Sequence, residues 1–278
     1  MIQQKVEIRF EKDEAIRFIS HHDLMRAMMR AVRRAALPVR LTEGFNPRSR
    51  IVFPVALEVG VASLDEAAEI ELTQCLPLQE IHDRLSSAFP PGLKLKQVRD
   101  LPPRRAGQTP IRIRYRLHLM EAGIAVNPDD LTRLMTAASL PFQRPREKAE
   151  QSVDLRPALL ALRLELSDLL LDVQPSPRGS ARPLEVLSLL MMIPLQELKR
   201  VKVTKLLMEL QAPPELSEEA LVERQLLLRR AQESLNKLTN LETSSPQPPP
   251  ECLPVQEAEA ANQTSNPPRL NSQNPLNQ

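Results

Sequence analysis

Across the first hundred residues the hydrophobic period switches twice between two and about 3.6 residues, and that alternation limits the folds open to the chain. In KVEIRF, Val6, Ile8 and Phe10 share one face and Lys5, Glu7 and Arg9 the other, the pattern of a strand with one buried side. Ser20 follows at an N-cap position with Asp23 three residues on, and Leu24, Ala27, Met28, Ala31 and Ala35 recur at helical spacing. This helix should end near Ala36 or Leu37, because Pro38 disfavours helical backbone before it. The strand RIVFPV carries Pro54, which cannot donate to a ladder and therefore belongs at a sheet edge. AEIELT alternates again, residues 77–88 form a proline-opened helix, and LKLKQV (93–98) is a last strand. The order β-α-β-β-α-β points to a ferredoxin-like domain.

The next hundred residues follow a similar plan. IRIRYRLHL is a strand, NPDDLTRLMTAAS a capped helix, Phe142 to Asp172 a hairpin-like stretch, and RPLEVLSLLM a helix opened by Pro183. LRPALLALRLEL is open to two readings: a strand with Leu160, Leu162, Leu164 and Leu166 facing inward, or a helix with Leu155, Leu159, Leu162 and Leu166 in one stripe. The predicted class is α+β, two tandem ferredoxin-like (βαββαβ) domains at residues 1–105 and 106–212. Pro213 and Pro214 break the chain, and an amphipathic helix is expected within 213–241, where Leu221, Leu228 and Leu235 recur every seventh residue. Residues 242–278, rich in Pro, Gln and Asn, should form a disordered tail.

The net charge of +2 by itself implies no polyanionic partner, but its distribution does more. From Arg17 to Arg50 the chain has eight arginines against two acids, Asp23 and Glu43. Arg26, Arg30 and Arg33 fall on one helix face, either as a solvated basic surface or as a phosphate-facing stripe. His21 and His22 occupy the first turn of that helix, where the dipole disfavours a cationic imidazolium. Being adjacent, they diverge by about 100° and cannot chelate one metal as an i, i+4 pair would, so no metal site is expected. His21, His22 and Asp23 are the candidate catalytic residues. EGFNPRSR is either a plain connection or a binding loop held by a rigid scaffold. Candidate binding residues are therefore Arg17, Ser20, Arg26, Arg30, Arg33, Glu43, Asn46, Arg48 and Arg50.

On the sheet, the outward residues Glu7, Arg9, Glu69 and Glu71, with Lys94 and Lys96, lack the aromatics of an RNA-recognition module. Arg112, Arg114, Arg116 and His118 share another strand face, a basic band unless Glu165 and neighbouring acids neutralise it. The loop QPSPRGSARP leads into a helix N-terminus but holds a single glycine, so it is no phosphate loop. Cys75 and Cys252 make neither a disulfide framework nor a metal pattern. There is no nucleophile elbow, Walker loop or dinucleotide fingerprint. No apolar run reaches membrane-spanning length, and MIQQKVEIRF lacks a signal peptide's apolar core, so a cytoplasmic protein is expected.

At FISHHD, EGFNPR, VDLRPALL and GSARPLEVL the chain resembles the radical-SAM-associated (radical-SAM-linked) proteins, a bacterial domain of unknown function. That family's pattern runs Phe-Ile-Ser-His-Leu-Asp, then Glu-Gly-Phe-Asn-Pro-His-Pro, then Val-Asp-Leu-Arg-Pro; it is matched here by Phe18 to Asp23, Glu43 to Pro47 and Val153 to Pro157. The resemblance covers roughly residues 1–195, adds Asp154 and Arg156 to the binding candidates, and favours the strand reading of LRPALLALRLEL. His22 replaces a leucine, and Arg48 and Ser49 replace His-Pro, which puts any role of a second family histidine in doubt. The resemblance implies a companion to a radical SAM enzyme with a cobalamin-binding-like region, often fused to it or encoded beside it, with ribonuclease genes often nearby. This chain lacks the three-cysteine cluster motif, so SAM, the [4Fe–4S] centre and cobalamin would sit on the partner chain. The leading expectation is a non-catalytic accessory module that positions an RNA or RNA-linked substrate. The alternatives are a nuclease or hydrolase using His21 or His22 as general base, with Arg26 or Arg48 stabilising phosphoryl charge, and a protein-interaction scaffold without nucleic acid.

Overall fold

The computed structural model describes residues 3–102, 107–144, 151–175, 180–211, 222, 225–230 and 233. These residues all belong to the unit spanning Met1–Asn236. The first half contains β1 (Gln4–Lys12), α1 (His21–Arg34), β2 (Ile51–Val52), β3 (Val61–Leu72), α2 (Leu78–Ala88) and β4 (Leu93–Leu101). The second contains β5 (Pro110–His118), α3 (Pro128–Thr136), β6 (Pro141–Arg144), β7 (Gln151–Asp154), β8 (Leu159–Glu165), β9 (Asp168–Val173), α4 (Pro183–Met191), α5 (Leu195–Leu198) and β10 (Lys202–Leu210).

Among the described residues, eight strands form one mixed sheet in the order β4-β1-β3-β10-β5-β9-β8, with β2 attached to β3. β6 and β7 form a separate hairpin. Strands expected in two tandem domains thus lie in a single sheet. The join is local: Val203, Thr204 and Lys205 of β10 pair in parallel with Val61, Ala62 and Ser63 of β3. β2 covers β3 only at Glu69 and Ile70, so the opening residues of β3 would otherwise be a bare edge, and β10 fills it.

The core falls into two clusters, one within the first half and one that takes in Leu57, Val61 and Ala67 of the first half with the residues of the second. α1 and α2 lay Leu24, Met28, Val32, Ile81 and Leu85 on Val6, Ile8, Phe10, Ala68 and Ile70. Phe10 meets Phe53 and Phe89 edge-on, with centroids 6.3 and 6.2 Å apart. In the second half Leu134, Val186, Leu187 and Leu190 cover Ile113, Leu117, Leu171 and Val203. Ser20 caps α1 by accepting from the Asp23 amide at 3.1 Å, and α1 stops where Ala36 turns left-handed (φ 49) ahead of Pro38.

Some expectations need correction. LRPALLALRLEL does contain a strand, β8, but its leucines do not all face inward: Leu162 is buried while Leu160 and Leu166 are exposed. A register shift between Leu159 and Ala161 turns Leu160 outward, and Leu166 sits in the following turn at φ 49. Glu7 and Glu69, expected on an outward face, are buried, because residues 107–109 lie across them and the Gln108 amide donates to Glu69 at 2.6 Å. Of the helix expected within 213–241, residues 222, 225–230 and 233 are helical; the rest of it and the tail lie outside the described residues. Among the described residues, no helix is long and apolar enough to cross a membrane.

Candidate functional site

The seam between β3 and β10 gathers charge on the sheet face that carries the helices. Lys205 Nζ lies 2.5 Å from Glu66 Oε1, and both side chains are wholly buried. Lys12, also buried, donates to the carbonyls of Arg17 at 2.8 Å and Val61 at 3.1 Å. Desolvation by burial pulls the Lys12 ammonium down from 10.5 to about 8; Glu66 opposes that shift and Lys205 adds to it. Tyr115 is buried opposite Lys205 across the β5–β10 ladder, and burial pushes its phenol well above the usual range.

The first turn of α1 stands over this cluster and treats its two histidines differently. His21 is in phase with the buried stripe of Leu24, Met28, Ala31, Val32 and Ala35, so its ring turns inward and meets Phe53 edge-on at 5.2 Å. Its Nδ1 is buried and has no hydrogen-bond partner among the described residues. Burial lowers its pKa below 6.5; His22 and Lys205 push the same way and Glu66 opposes them. His22, rotated by about 100°, is exposed. Asp23 accepts from the Ser20 hydroxyl at 2.7 Å and pairs with Arg26 at 3.3 Å, so these two candidates form a local cap network. The Ser20 bond, more than Arg26, holds the Asp23 carboxyl below its ordinary range.

The eight arginines between Arg17 and Arg50 do not gather around the histidines. Arg17 pairs with Glu14 at 2.5 Å and stacks over Phe18 at 4.7 Å, near the seam. Arg40 and Arg50 bind Glu71 at 3.2 and 3.1 Å. That residue is ten positions along β3 from the seam at Val61, about 33 Å away at strand rise. Arg34 donates to the Ala88 carbonyl at 2.5 Å. Arg26, Arg30 and Arg33 point away from the core, and Arg30, Arg33 and Arg48 have no carboxylate partner among the described residues. In the loop, Glu43 lies 3.6 Å from Arg40, and Asn46 and Arg48 are exposed. Asp154 and Arg156 serve a turn: Asp154 accepts from the amides of Leu140 and Arg156 at 2.7 and 3.0 Å, and Arg156 donates to the carbonyls of Ala137 and Leu159.

Residues 5–188 match a family described as "Uncharacterized protein conserved in bacteria (DUF2344)". The chain belongs to that family. No curated protein matches it. The DUF2344 stretch includes β1, α1 and β3, hence Lys12, His21 and Glu66, and ends within α4; β10 with Lys205 lies beyond it.

Sequence reasoning missed Lys12, Glu66 and Lys205, because a charged residue in a strand gives no sign that the opposite edge will be covered. It also treated His21 and His22 alike, although their helical phase separates them. The arginines of the band of Arg112, Arg114, Arg116 and His118 are paired, with Glu209 at 2.9 Å, Asp172 at 2.7 Å and Glu165 at 4.0 Å, and His118 lies 3.4 Å from Asp168. Among the described residues, no group of three or more His, Cys, Asp or Glu could hold a metal ion.

Proposed function

We propose that this chain is a non-catalytic module that positions an RNA or RNA-linked substrate for a radical SAM protein on another chain. The observation that carries the reading is the outward row on α1: Arg26, Arg30 and Arg33 share one face, and the last two lack carboxylate partners among the described residues. Such a row suits successive phosphates and leads toward the first turn of α1, where His22 is exposed. The radical SAM association rests on the resemblance at FISHHD, EGFNPR and VDLRP. With two cysteines in the whole chain, the three-cysteine cluster, SAM and cobalamin belong to the partner in this reading. We take the two halves as ferredoxin-like repeats fused edge to edge, since the four strands that each contributes to the main sheet, leaving aside the β6–β7 hairpin, run in the order fourth, first, third, second.

Filter binding of RNA across a salt series tests the proposal. The Arg30→Ala, Arg33→Ala double variant should flatten the slope of log K against log salt by about 1.4–1.8, the loss of two phosphate contacts to a single strand or a duplex. Absence of salt-dependent RNA binding by the full chain, with or without the radical SAM protein, would remove the nucleic-acid half.

A second reading has one observation in its favour. His21, whose pKa burial lowers and whose Nδ1 has no partner among the described residues, is suited to act as a general base in an RNA-processing hydrolase. Unchanged single-turnover cleavage of labelled RNA in a His21→Ala, His22→Ala variant rules it out.

A further inference from the structure

Two aromatic rings stand in solvent at opposite ends of α1. Phe45 has a relative exposure of 106% and Phe18 of 66%. Fourteen helical residues separate the segments that carry them, about 20 Å at helical rise. The stem behind Phe45 is ordered by backbone bonds: Leu41 bridges Ser49, the Thr42 amide donates to the Arg48 carbonyl at 2.8 Å, and the Arg50 amide donates to the Arg40 carbonyl at 2.8 Å. The Arg48 amide also donates to the Thr42 hydroxyl at 3.0 Å. Gly44 at φ +122 makes the turn that presents the ring. Phe18 lies over the backbone of Gly60, where an added Cβ would come within 3.8 Å of its ring, and Arg17 stacks 4.7 Å from its centroid.

Neither ring fits a core role, and the two do not make one apolar patch. Protein hot spots cluster at the centre of an interface. Along the chain the two rings flank α1 with its outward Arg26, Arg30 and Arg33, and Arg48 follows Phe45 by three positions in the same loop. Separated π-faces along a cationic track match a single-stranded nucleic acid, whose bases stack while its phosphates follow the charge. A duplex would keep its bases inside and offer the rings nothing.

We propose that Phe18 and Phe45 are base-stacking residues for a single-stranded RNA segment laid along α1, its phosphates on Arg26, Arg30, Arg33 and Arg48. This rests on the RNA reading above and adds the strandedness and the contacts. The chain contains no tryptophan, so Phe18→Trp and Phe45→Trp each introduce a lone fluorescent reporter that keeps a ring. Full-length protein is titrated with oligo(U) and oligo(A) RNA of about 12 nucleotides and with a duplex of similar length. Single strands should quench both reporters and the duplex should not. Phe18→Ala and Phe45→Ala should each weaken binding about tenfold without changing the salt slope, whereas both Trp variants keep wild-type affinity. If RNA binds with the expected salt slope but neither reporter is quenched and neither Ala variant weakens it, the stacking assignment falls and the RNA reading stands. If the wild-type chain binds no RNA at all, both fall. If the reporters respond only to the purified radical SAM protein, the rings are protein anchors and the stacking assignment is overturned.

Discussion

The strand face turned away from the helices and the outer face of α1 are both rich in arginine, yet they end in opposite electrostatic states. On the sheet, Arg9 and Arg99 converge on Glu7 at 2.8 and 2.7 Å, Lys5 meets Glu69 at 2.6 Å, and Arg114 grips Asp172 with two bonds. On α1, Arg30 and Arg33 meet no acid among the described residues. Geometry explains the difference. A strand residue has cross-strand neighbours from chain segments far away, and each is a chance for an opposite charge. An outward helical residue sees mainly its own i±3 and i±4 positions. For Arg30 these are Arg26, Ala27, Arg33 and Arg34; for Arg33 they are Met29, Arg30, Ala36 and Leu37. The number of arginines in a segment therefore says little about binding until their partners are known.

The sharpest way to break this contrast lies where paired charge is most deeply buried. Lys205→Ala should cost about 3–5 kcal/mol in denaturant unfolding, because it strands Glu66 inside the seam. A Glu66→Leu, Lys205→Leu double variant should recover most of that loss, since an apolar pair needs no partner. A cost below about 1 kcal/mol for Lys205→Ala would mean that the seam opens to water and the pairing does not hold the two halves together.

Lys12 gives a pH test of the same buried layer. Its pKa falls from 10.5 to about 8 on folding, so between those values the unfolded chain holds a proton that the native chain has shed. Stability should therefore fall as pH drops from 10.5 toward 8 and level off below it. Unfolding free energies measured across that window should show the slope in the wild type and its loss in Lys12→Met.

A smaller effect is expected at Arg114, whose removal leaves the buried Asp172 without its bidentate donor. Arg114→Ala should cost about 2 kcal/mol by the same unfolding assay. Smallest of all, Arg30→Ala and Arg33→Ala should each shift stability by less than about 0.5 kcal/mol, as nothing is left unpaired. If Arg33→Ala destabilised as much as Arg114→Ala, the two faces would not differ in kind.

Much of the local structure was legible. β1, α1, α2, α3 and α4 fall where period, caps and prolines put them, and Pro54 follows a strand of only two residues that pairs with β3 alone. Other elements were not. β10 carries Lys202, Lys205 and Glu209 in a nine-residue run, and its inward lysine masks the alternation. The opening of β3, VASLDE, has no clean period because a register irregularity interrupts it opposite Phe10 and Lys12. For the site, the inward aim of His21 was available from its phase with Leu24 and Met28. The exposure of Phe45 was not, since a phenylalanine in a loop is as easily tucked under the chain as left in water.

The sequence alone settled some short-range matters: that β1, α1, α2, α3 and α4 form where they do, where α1 begins and ends, and that Arg30 has no acid within one turn, because all of these depend on neighbours a few positions away. Tertiary structure alone decided that β10 closes the exposed edge of β3, that Lys205 meets Glu66 there, and that the arginines of the sheet are neutralised. Most of those contacts join residues dozens of positions apart brought within hydrogen-bonding distance, and no local pattern encodes that distance.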